Sequence, residues 1–239
     1  MIKKITLNGR EVCYNLERKR VKNINLRIKT GGSIYVSASN RVSEKVIEAF
    51  LLSKADYILK ALDYFAERAK HAPEPKRYVD GEVFKILGQD RILKVIADKK
   101  NLAQSDDGYI ILRVKDVSDA ELKKKTTDKW RRDYCIEVIT AVCEGVYPKF
   151  QKYGIDFPKL RFRNMVSRWG SCMPNKCALT FNTALIEVPL PCIEYVVVHE
   201  FTHFLQPNHS KKFYEQMAEF MPDWRERKLL LEKCGSVNQ

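Results

Sequence analysis

The first third of the chain alternates apolar and polar residues over short stretches. The alternation runs through residues 5–7, 12–16, 25–29 and 33–37. A half-buried β-strand turns every second side chain toward the core, so this pattern predicts four strands. Asn8-Gly9 and Gly31-Gly32 each separate two of these stretches, and such dipeptides favour the tight turns of β-hairpins.

A helical pattern follows the predicted strands. Apolar residues recur at helical spacing from 46 to 62, and Ser43 stands where an N-cap is expected. Pro73 and Pro75 cannot continue a helix, so one helix is predicted from Ser43 to about residue 70. Alternating stretches return at 83–87, 92–96 and 109–114. Residues 1–116 are therefore predicted to form a β-rich N-terminal domain with one long helix.

The second half of the chain has mainly helical patterns. The spacing predicts a helix over 118–147, where Ser118 and Glu121 match a capping box. Two predicted strands, 159–166 and 178–186, are joined by a turn-rich segment. Three further helical patterns follow, the first with Pro191 in its opening turn. The predicted fold class is α+β, and residues 117–239 form a mainly helical domain with a small β-hairpin.

The composition is that of an ordinary globular protein. The 239 residues are 45% hydrophobic and 31% charged, and no apolar run reaches the roughly 18 residues of a membrane span. The seven cysteines are scattered, and the N-terminus lacks the apolar stretch of a secretory leader. Such cysteines are typical of reduced thiols, so we predict a cytoplasmic protein without a membrane partner. No internal repeat is visible in the sequence.

The charge balance favours an anionic partner. The formal net charge is +13 and the pI is about 9.4, which suits a nucleotide or a nucleic acid. A basic cluster at residues 18–22 stands between two predicted strands. Two interpretations of this cluster stay open: a solvated loop, or a contact to an anionic substrate or a nucleic-acid backbone.

Residues 199–203 carry the strongest chemical signal in the sequence. They read His-Glu-Phe-Thr-His within an apolar run. Residues four apart lie on one face of a helix, so His199 and His203 can bind the same metal ion. Glu200 lies about 100° round the helix, where its carboxylate can hydrogen-bond a water on that metal. Two histidines and a general-base glutamate are typical of zinc hydrolases.

His209 is the predicted third ligand of the metal. Pro207 ends the helix and lets the chain turn back, which places His209 close to the first two histidines. The spacing equals that of zinc enzymes with the pattern HExxHxxGxxH. Gln206 stands where that pattern has glycine, so a different local turn is expected. Glu215 and Glu219 in the following predicted helix remain rival third ligands, as in sites with two histidines and one glutamate.

A hydrolase of this kind also uses a donor that stabilises the developing oxyanion. Tyr195, Arg168 and Tyr214 are the candidates for it. Arg168 belongs to the turn-rich segment, so a structural place in that turn is the competing interpretation. Cys172 and Cys177 lack the second cysteine pair of a structural zinc site and are interpreted as thiols.

These motifs resemble the YgjP-like family of metal-dependent hydrolases. The resemblance is carried by residues 167–172, 195–203, 208–213 and 221–224, and by Asn182 and Leu185. The His-Ser-x-x-Phe element at 209–213 also resembles SprT-like proteases, in which a small residue follows the third zinc-binding histidine. The resemblance implies a zincin-like catalytic domain, one zinc ion on His199, His203 and His209, and Glu200 as general base.

The predicted function is zinc-dependent hydrolysis of a peptide bond in a protein or peptide substrate. Zinc lowers the pKa of a bound water to roughly 7, and Glu200 accepts the proton as the water attacks. Three alternatives stay open. The first is a zinc-dependent nucleotide or phosphoanhydride hydrolase. The second is an SprT-like DNA-associated protease that holds DNA through the basic β-rich domain or the basic helix over 123–132. The third is a non-enzymatic zinc module, against which an open water position argues.

Overall fold

The computed structural model describes residues 2–29, 31–70, 76–165 and 168–234. Pro73 and Pro75, which were predicted to end the first helix, lie outside these residues, as do Val166 and Ser167. The chain divides into two compact units, residues 1–75 and 76–239.

The N-terminal unit is a four-stranded sheet with two helices. Its elements are β1 (Ile2–Leu7), β2 (Arg10–Arg18), β3 (Asn25–Ile28), β4 (Ile34–Ala38), α1 (Glu44–Leu52) and α2 (Ala55–Lys70). The strand order is β1-β2-β4-β3, with a parallel central pair and antiparallel outer pairs. The core joins alternating strand residues such as Ile34 and Val36 to Ile47 and Ile58 of the helices.

The helix predicted from Ser43 to residue 70 is in fact two helices. The break falls at Ser53 and Lys54, where the Ser53 hydroxyl donates to the carbonyl of Phe50 at 2.7 Å. Such a local bond competes with helical continuation, and the apolar spacing runs through the break without marking it. Ser43 occupies the N-cap position of α1, but its side chain makes no capping hydrogen bond.

A second sheet repeats the topology of the first. Its strands are β5 (Val83–Ile86), β6 (Gln89–Ala97), β7 (Leu102–Asp106) and β8 (Tyr109–Val114), in the order β5-β6-β8-β7 with the same strand directions. The first hairpin turns match as well: φ is 47° and 83° at Asn8-Gly9, and 50° and 79° at Leu87-Gly88. The two sheets share this topology although no repeat is visible in the sequence. Alternation and turn geometry preserve this topology without similar residues.

The remainder of the second unit consists of helices around a small third sheet. Its elements are α3 (Ala120–Val146), α4 (Pro148–Gln151), β9 (Lys159–Arg163), β10 (Gly170–Met173), β11 (Ala178–Asn182), α5 (Leu190–Thr202), α6 (Lys211–Phe220) and α7 (Trp224–Cys234). β11 lies between β10, to which it is antiparallel, and β9, to which it is parallel. The predicted α+β class is confirmed.

The second sheet shares its core with these helices. Phe84, Leu93 and Ile110 belong to the same buried cluster as Ile139 of α3 and Val197 of α5. The boundary predicted at residue 116 therefore differs from the division at residues 75 and 76. The physical reason is that the apolar face of the sheet needs a covering layer, and α3 provides it.

Two local predictions in this unit need correction. Asp119, not Ser118, caps α3: its carboxylate accepts from the N–H of Leu122 at 2.9 Å, while the Ser118 hydroxyl donates to Asp116. The turn-rich segment after residue 166 contains β10, which was not predicted. Of the described helices, none has the length and apolar character needed to cross a membrane.

Candidate metal centre

Helix α5 carries His199 and is followed by His203 at its C-cap, and the protein core fixes its orientation. Pro191 lies in its first turn, as predicted. Its buried side chains include Ile193, Val197 and Phe201, which anchor the helix in the core of the second unit. At its end, the Thr202 hydroxyl donates to the carbonyl of Val198 at 2.7 Å. A helix held in this way presents one defined face to the cavity beside it.

Three imidazoles converge at the end of α5. Nε2 of His199 lies 3.2 Å from Nε2 of His203 and 3.0 Å from Nε2 of His209. The ligand atoms of the three residues all lie within 4.8 Å of one another, and no other group of three potential ligands is found in the described parts of the chain. The chain reverses after Thr202, whose carbonyl accepts from the N–H of Gln206 at 3.0 Å.

The histidines are arranged as neutral ligands. Nδ1 of His203 lies 3.1 Å from the carbonyl oxygen of Gln206, so a proton on Nδ1 leaves the Nε2 lone pair facing the other rings. Burial, together with the neighbouring His203 and His209, lowers the pKa of His199 to about 3. Burial also lowers the pKa of His203. Metal ions bind the neutral form of imidazole.

Phe213 lies against all three imidazoles. Its ring centroid is 5.0 Å from that of His199, 4.8 Å from that of His203 and 4.9 Å from that of His209. The side chain is fully buried. An apolar ring at this position restricts the orientation of the three ligands and excludes water from one side of the centre.

The donor set fits a divalent transition metal. A tetrahedral zinc ion with bonds of about 2.0–2.1 Å keeps its nitrogen ligands about 3.3–3.4 Å apart. The measured nitrogen separations of 3.0 and 3.2 Å are close to this spacing. Imidazole nitrogens are also the ligands that zinc and its neighbours in the transition series prefer.

Glu200 is buried beside this group, with an exposed fraction of 6%. Burial raises the pKa of its carboxyl to about 8, while the positive charge of Arg168 opposes that shift. His199, His203 and Glu200 line one cavity of about 540 Å³. The carboxyl group of Glu200 therefore lies beside the place where a reactant next to the histidines would bind.

Two of the three candidate oxyanion donors, Tyr195 and Arg168, line the cavity. Tyr195 lines it from the preceding turn of α5, with its ring centroid 5.8 Å from that of His199. Tyr195 is buried, which raises the pKa of its hydroxyl. Arg168 lines the opposite wall, where its side chain is exposed. That wall consists of β10 and the residues around it: Arg168, Trp169, Gly170, Ser171, Cys172 and Pro174.

Other predicted candidates lie elsewhere. Glu215 pairs with Lys211 at 3.7 Å, and Glu219 accepts from the Tyr153 hydroxyl at 3.4 Å, so neither joins the three histidines. Tyr214 stacks between His209 and Trp224 and does not line the cavity.

Cys172 does line the cavity wall, and burial raises the pKa of its thiol to about 12. The Cys177 thiol instead donates to the carbonyl of Asp156 at 3.5 Å. Neither cysteine belongs to the metal-binding group, which agrees with their interpretation as thiols.

Sequence reasoning missed two contributors to the centre. The sequence predicted that Phe213 lies in a helix, but it did not predict the contact between Phe213 and the histidines. Gly170 lies in a segment that was predicted as a turn. Its contact with Glu200 depends on strand β10, which forms there.

Three converging imidazoles beside a buried carboxylate define the centre of a metal-dependent hydrolase. The family model of the YgjP-like metallopeptidase domain matches residues 22–234. The chain therefore belongs to the YgjP-like metallopeptidase family, as its motifs predicted. A search of curated proteins gave no match to the chain.

Proposed function

We propose that the protein is a zinc-dependent peptidase with Glu200 as its general base and His199, His203 and His209 as its metal ligands. The family supports a metal-dependent hydrolase of the peptidase class. The most direct support is the convergence of three imidazole nitrogens at the cavity that also contains the buried carboxylate of Glu200. Zinc is the metal that such a three-histidine set with an open fourth position most often holds.

The chain's own residues perform the proton transfers of this reaction. Zinc on the three histidines would supply a Lewis acid that lowers the pKa of a water molecule to about 7. Glu200 takes a proton from the water as the water oxygen attacks the carbonyl carbon. Glu200 then returns that proton to the amine nitrogen as the C–N bond breaks. The products are a carboxylic acid and an amine.

Tyr195 is the side chain that we assign to the developing oxyanion. Tyr195 lines the cavity one turn before His199, and its hydroxyl is protonated at neutral pH. Arg168 also lines the cavity and contributes a positive charge to it.

Zinc content and the variant Glu200→Gln test this proposal. Purified protein should contain about one zinc per chain. Glu200→Gln should keep that zinc and lose at least about 100-fold in the hydrolysis of casein. Glu215→Gln is the matched control, because Glu215 pairs with Lys211 away from the histidines. Full casein hydrolysis by Glu200→Gln, or protein that neither contains nor binds zinc, would contradict the proposal.

A phosphoanhydride hydrolase is the second candidate function. Its support is the guanidinium of Arg168 in the cavity wall, together with the net charge of +13, since both suit a phosphate-bearing substrate. Nucleoside triphosphates assayed beside casein decide between the two functions. Glu200-dependent release of phosphate or pyrophosphate without casein cleavage would replace the peptidase proposal.

We also propose that the protein acts in the cytoplasm. All seven cysteines are free thiols, as expected in a reducing compartment. Protein extracted under alkylating conditions should carry seven alkylated cysteines in its mass spectrum, which would show that all seven thiols were reduced. Recovery of a disulfide would contradict this assignment.

A further inference from the structure

Gly170 lies directly against the carboxyl group of Glu200. A Cβ atom built on Gly170 would stand 2.5 Å from Oε1, 2.6 Å from Cγ and 2.8 Å from Cδ of Glu200. These separations are shorter than real Cβ contacts, so any side chain at position 170 must displace the carboxyl group. The backbone of Gly170 is not in the left-handed region. The constraint on residue 170 therefore comes from the Glu200 side chain and not from its own backbone conformation.

Arg168 is the charged residue that acts on the carboxyl group of Glu200. Among the residues that the structure describes, no hydrogen bond or ion pair to this carboxyl group is found. Buried carboxylates are usually oriented by hydrogen bonds. The position of this carboxylate is instead set by packing against the backbone at Gly170.

Asn182 fixes the strand that carries Gly170. Its fully buried amide group donates to the carbonyls of Met165 at 2.8 Å and Arg168 at 3.0 Å, and it accepts from the N–H of Met165 at 3.2 Å. The N–H of Asn182 donates to the carbonyl of Trp169 at 2.8 Å. The chain immediately before Gly170 is therefore tied to β11, and the wall behind Glu200 has little freedom to move.

We propose that Gly170 is a positioning residue whose missing side chain seats the Glu200 carboxylate at the cavity, on a strand that Asn182 holds in place. The contact itself is a property of the fold. Its catalytic consequence rests on the proposed function of Glu200 as general base.

A thermal double-variant cycle tests the contact without any activity assay. Gly170→Ala should lower the Tm of the zinc-loaded protein by about 2–10 °C, because an added methyl overpacks the site. In a Glu200→Ala background, which leaves room for that methyl, Gly170→Ala should change the Tm by less than about 2 °C. Gly145→Ala is the control, since a Cβ there meets nothing within 4 Å. An equal fall in both backgrounds, or no fall in either, would overturn the assignment.

Kinetics with casein then test the catalytic consequence. Gly170→Ala should keep one zinc and lose about 100-fold in kcat with little change in KM, because a displaced base acts on chemistry and not on binding. In a Glu200→Asp background, whose shorter side chain makes room, the same substitution should change kcat less than about 3-fold. Full kcat in Gly170→Ala would overturn the positioning claim. If wild type leaves casein intact, the peptidase proposal fails, while the thermal cycle still decides the contact.

A second, independent feature lies in the N-terminal unit. Residues 18–43 contain no aspartate or glutamate, but they contain the cations Arg18, Lys19, Arg20, Lys22, Arg27, Lys29 and Arg41. Arg18 is used internally, donating to the carbonyls of Ser39 and Val42, and Lys19 pairs with Glu17. The other five form the basic face: Arg20, Lys22, Arg27, Lys29 and Arg41.

The basic face follows the edge strand β3. Leu26 and Ile28 pack against the core, so Arg27, between them, points to the opposite side of the sheet. Arg27 is the cross-strand partner of Tyr35, and Nζ of Lys29 lies 4.1 Å from the centroid of the same ring. All five cations are exposed. Arg27 and Lys29 thus lie beside the Tyr35 ring, while Arg20, Lys22 and Arg41 lie in the loops that follow β2 and β4.

The cations of the basic face form no short ion pairs in the described part of the chain, although Lys29, after Lys19, contributes to the lowered pKa of Glu17. Across the described residues, none of its five cations has an ion-pair partner, whereas Lys85 and Lys124 in the second unit pair with Asp90 and Asp128 at 2.9 and 2.7 Å. No large exposed apolar side chain lies between residues 18 and 43. That absence disfavours a membrane surface, which needs apolar anchors beside the cations.

We propose that the basic face binds the backbone of a single-stranded nucleic acid, with Tyr35 as a stacking surface for a base. Fluorescence anisotropy with a labelled 20-nucleotide oligothymidylate tests this. The variant Arg27→Gln/Lys29→Gln/Arg41→Gln should weaken binding at least about 10-fold at low salt. It should also lower the slope of log Kd against log salt by about 2, which corresponds to three lost phosphate contacts.

A charge-matched control separates this surface from general attraction. Lys85→Gln/Lys124→Gln/Lys129→Gln removes three cations that already have carboxylate partners, so it should change binding less than about 2-fold. Equal weakening in both triple variants would overturn the proposal, because it would show attraction by net charge alone. Binding to vesicles that contain phosphatidylserine without binding to the oligonucleotide would also overturn it.

Discussion

Phe213 shapes the metal centre although it has no polar atom to offer. A fully buried ring within 5.0 Å of three imidazole centroids restricts the angle at which each histidine can approach a metal. It also keeps water from competing with the Nε2 atoms on that side. The ligands are thus oriented partly by hydrogen bonding, as at His203, and partly by packing.

We expect Phe213→Leu to weaken zinc binding by about 10–100-fold, the usual effect of losing support behind metal ligands. Competition with a chromophoric chelator measures this. Phe150→Leu is the matched control: Phe150 is also fully buried, but its ring partners are Phe201 and Phe220, not histidines. Both variants should lose a similar amount of thermal stability. If both lost the same zinc affinity, packing at Phe213 would have no special effect on the metal.

At this scale, the sequence predicted what depends on local geometry. Helical periodicity alone places His199 and His203 on one face of the helix. Pro207 indicated the chain turn after which His209 lies close to them. Contacts between distant segments were not predictable in the same way. The roles of Phe213 and Gly170 depend on contacts with residues distant in sequence. The identity of an apolar residue or a glycine does not predict which distant residue it will contact.

One hairpin of the second sheet supports the start of α5. At the turn between β5 and β6, the N–H of Leu87 donates to the carbonyl of Ile186 at 2.7 Å, and that of Gly88 donates to Glu187 at 3.2 Å. A Cβ on Gly88 would stand 2.6 Å from Cγ of Pro189, the N-cap residue of α5. The turn therefore fits against the segment that leads into α5.

Gly88→Ala should destabilise the second unit more than Gly108→Ala does. Both glycines have positive φ, 79° and 86°, so each substitution costs about 1–2 kcal/mol of backbone strain. A Cβ on Gly108 meets nothing within 4 Å, whereas overpacking against Pro189 adds about 1–3 kcal/mol at Gly88. Urea unfolding of the two variants measures the difference. Equal destabilisation would show that the turn does not press on Pro189.

Prediction of whole elements succeeded where a pattern was long or a turn residue was distinctive. Asn8-Gly9 marked a hairpin, and α3 was found to within two residues at each end. Strand β10 was missed because it has four residues and no alternation of its own. It forms by pairing with β11, an interaction between segments that local periodicity does not record.

The described residues form two hydrophobic cores. One joins the first sheet to α1 and α2, and the other joins the second and third sheets to the remaining helices. The three histidines all belong to the second unit. A bound metal should therefore stabilise one unit directly and leave the internal stability of the other unchanged.

Calorimetry of the zinc-loaded protein should separate these contributions. A ligand at about 1,000 times its Kd stabilises the state that binds it by about 4 kcal/mol, which raises the Tm of a unit of this size by roughly 8–16 °C. A chelator should lower the transition of residues 76–239 by that amount and leave the transition of residues 1–75 in place. Added zinc should reverse the shift. If the chelator shifts both transitions equally, the two units unfold as one cooperative unit. The reason is that metal binding stabilises every part of the chain that unfolds together with the metal site.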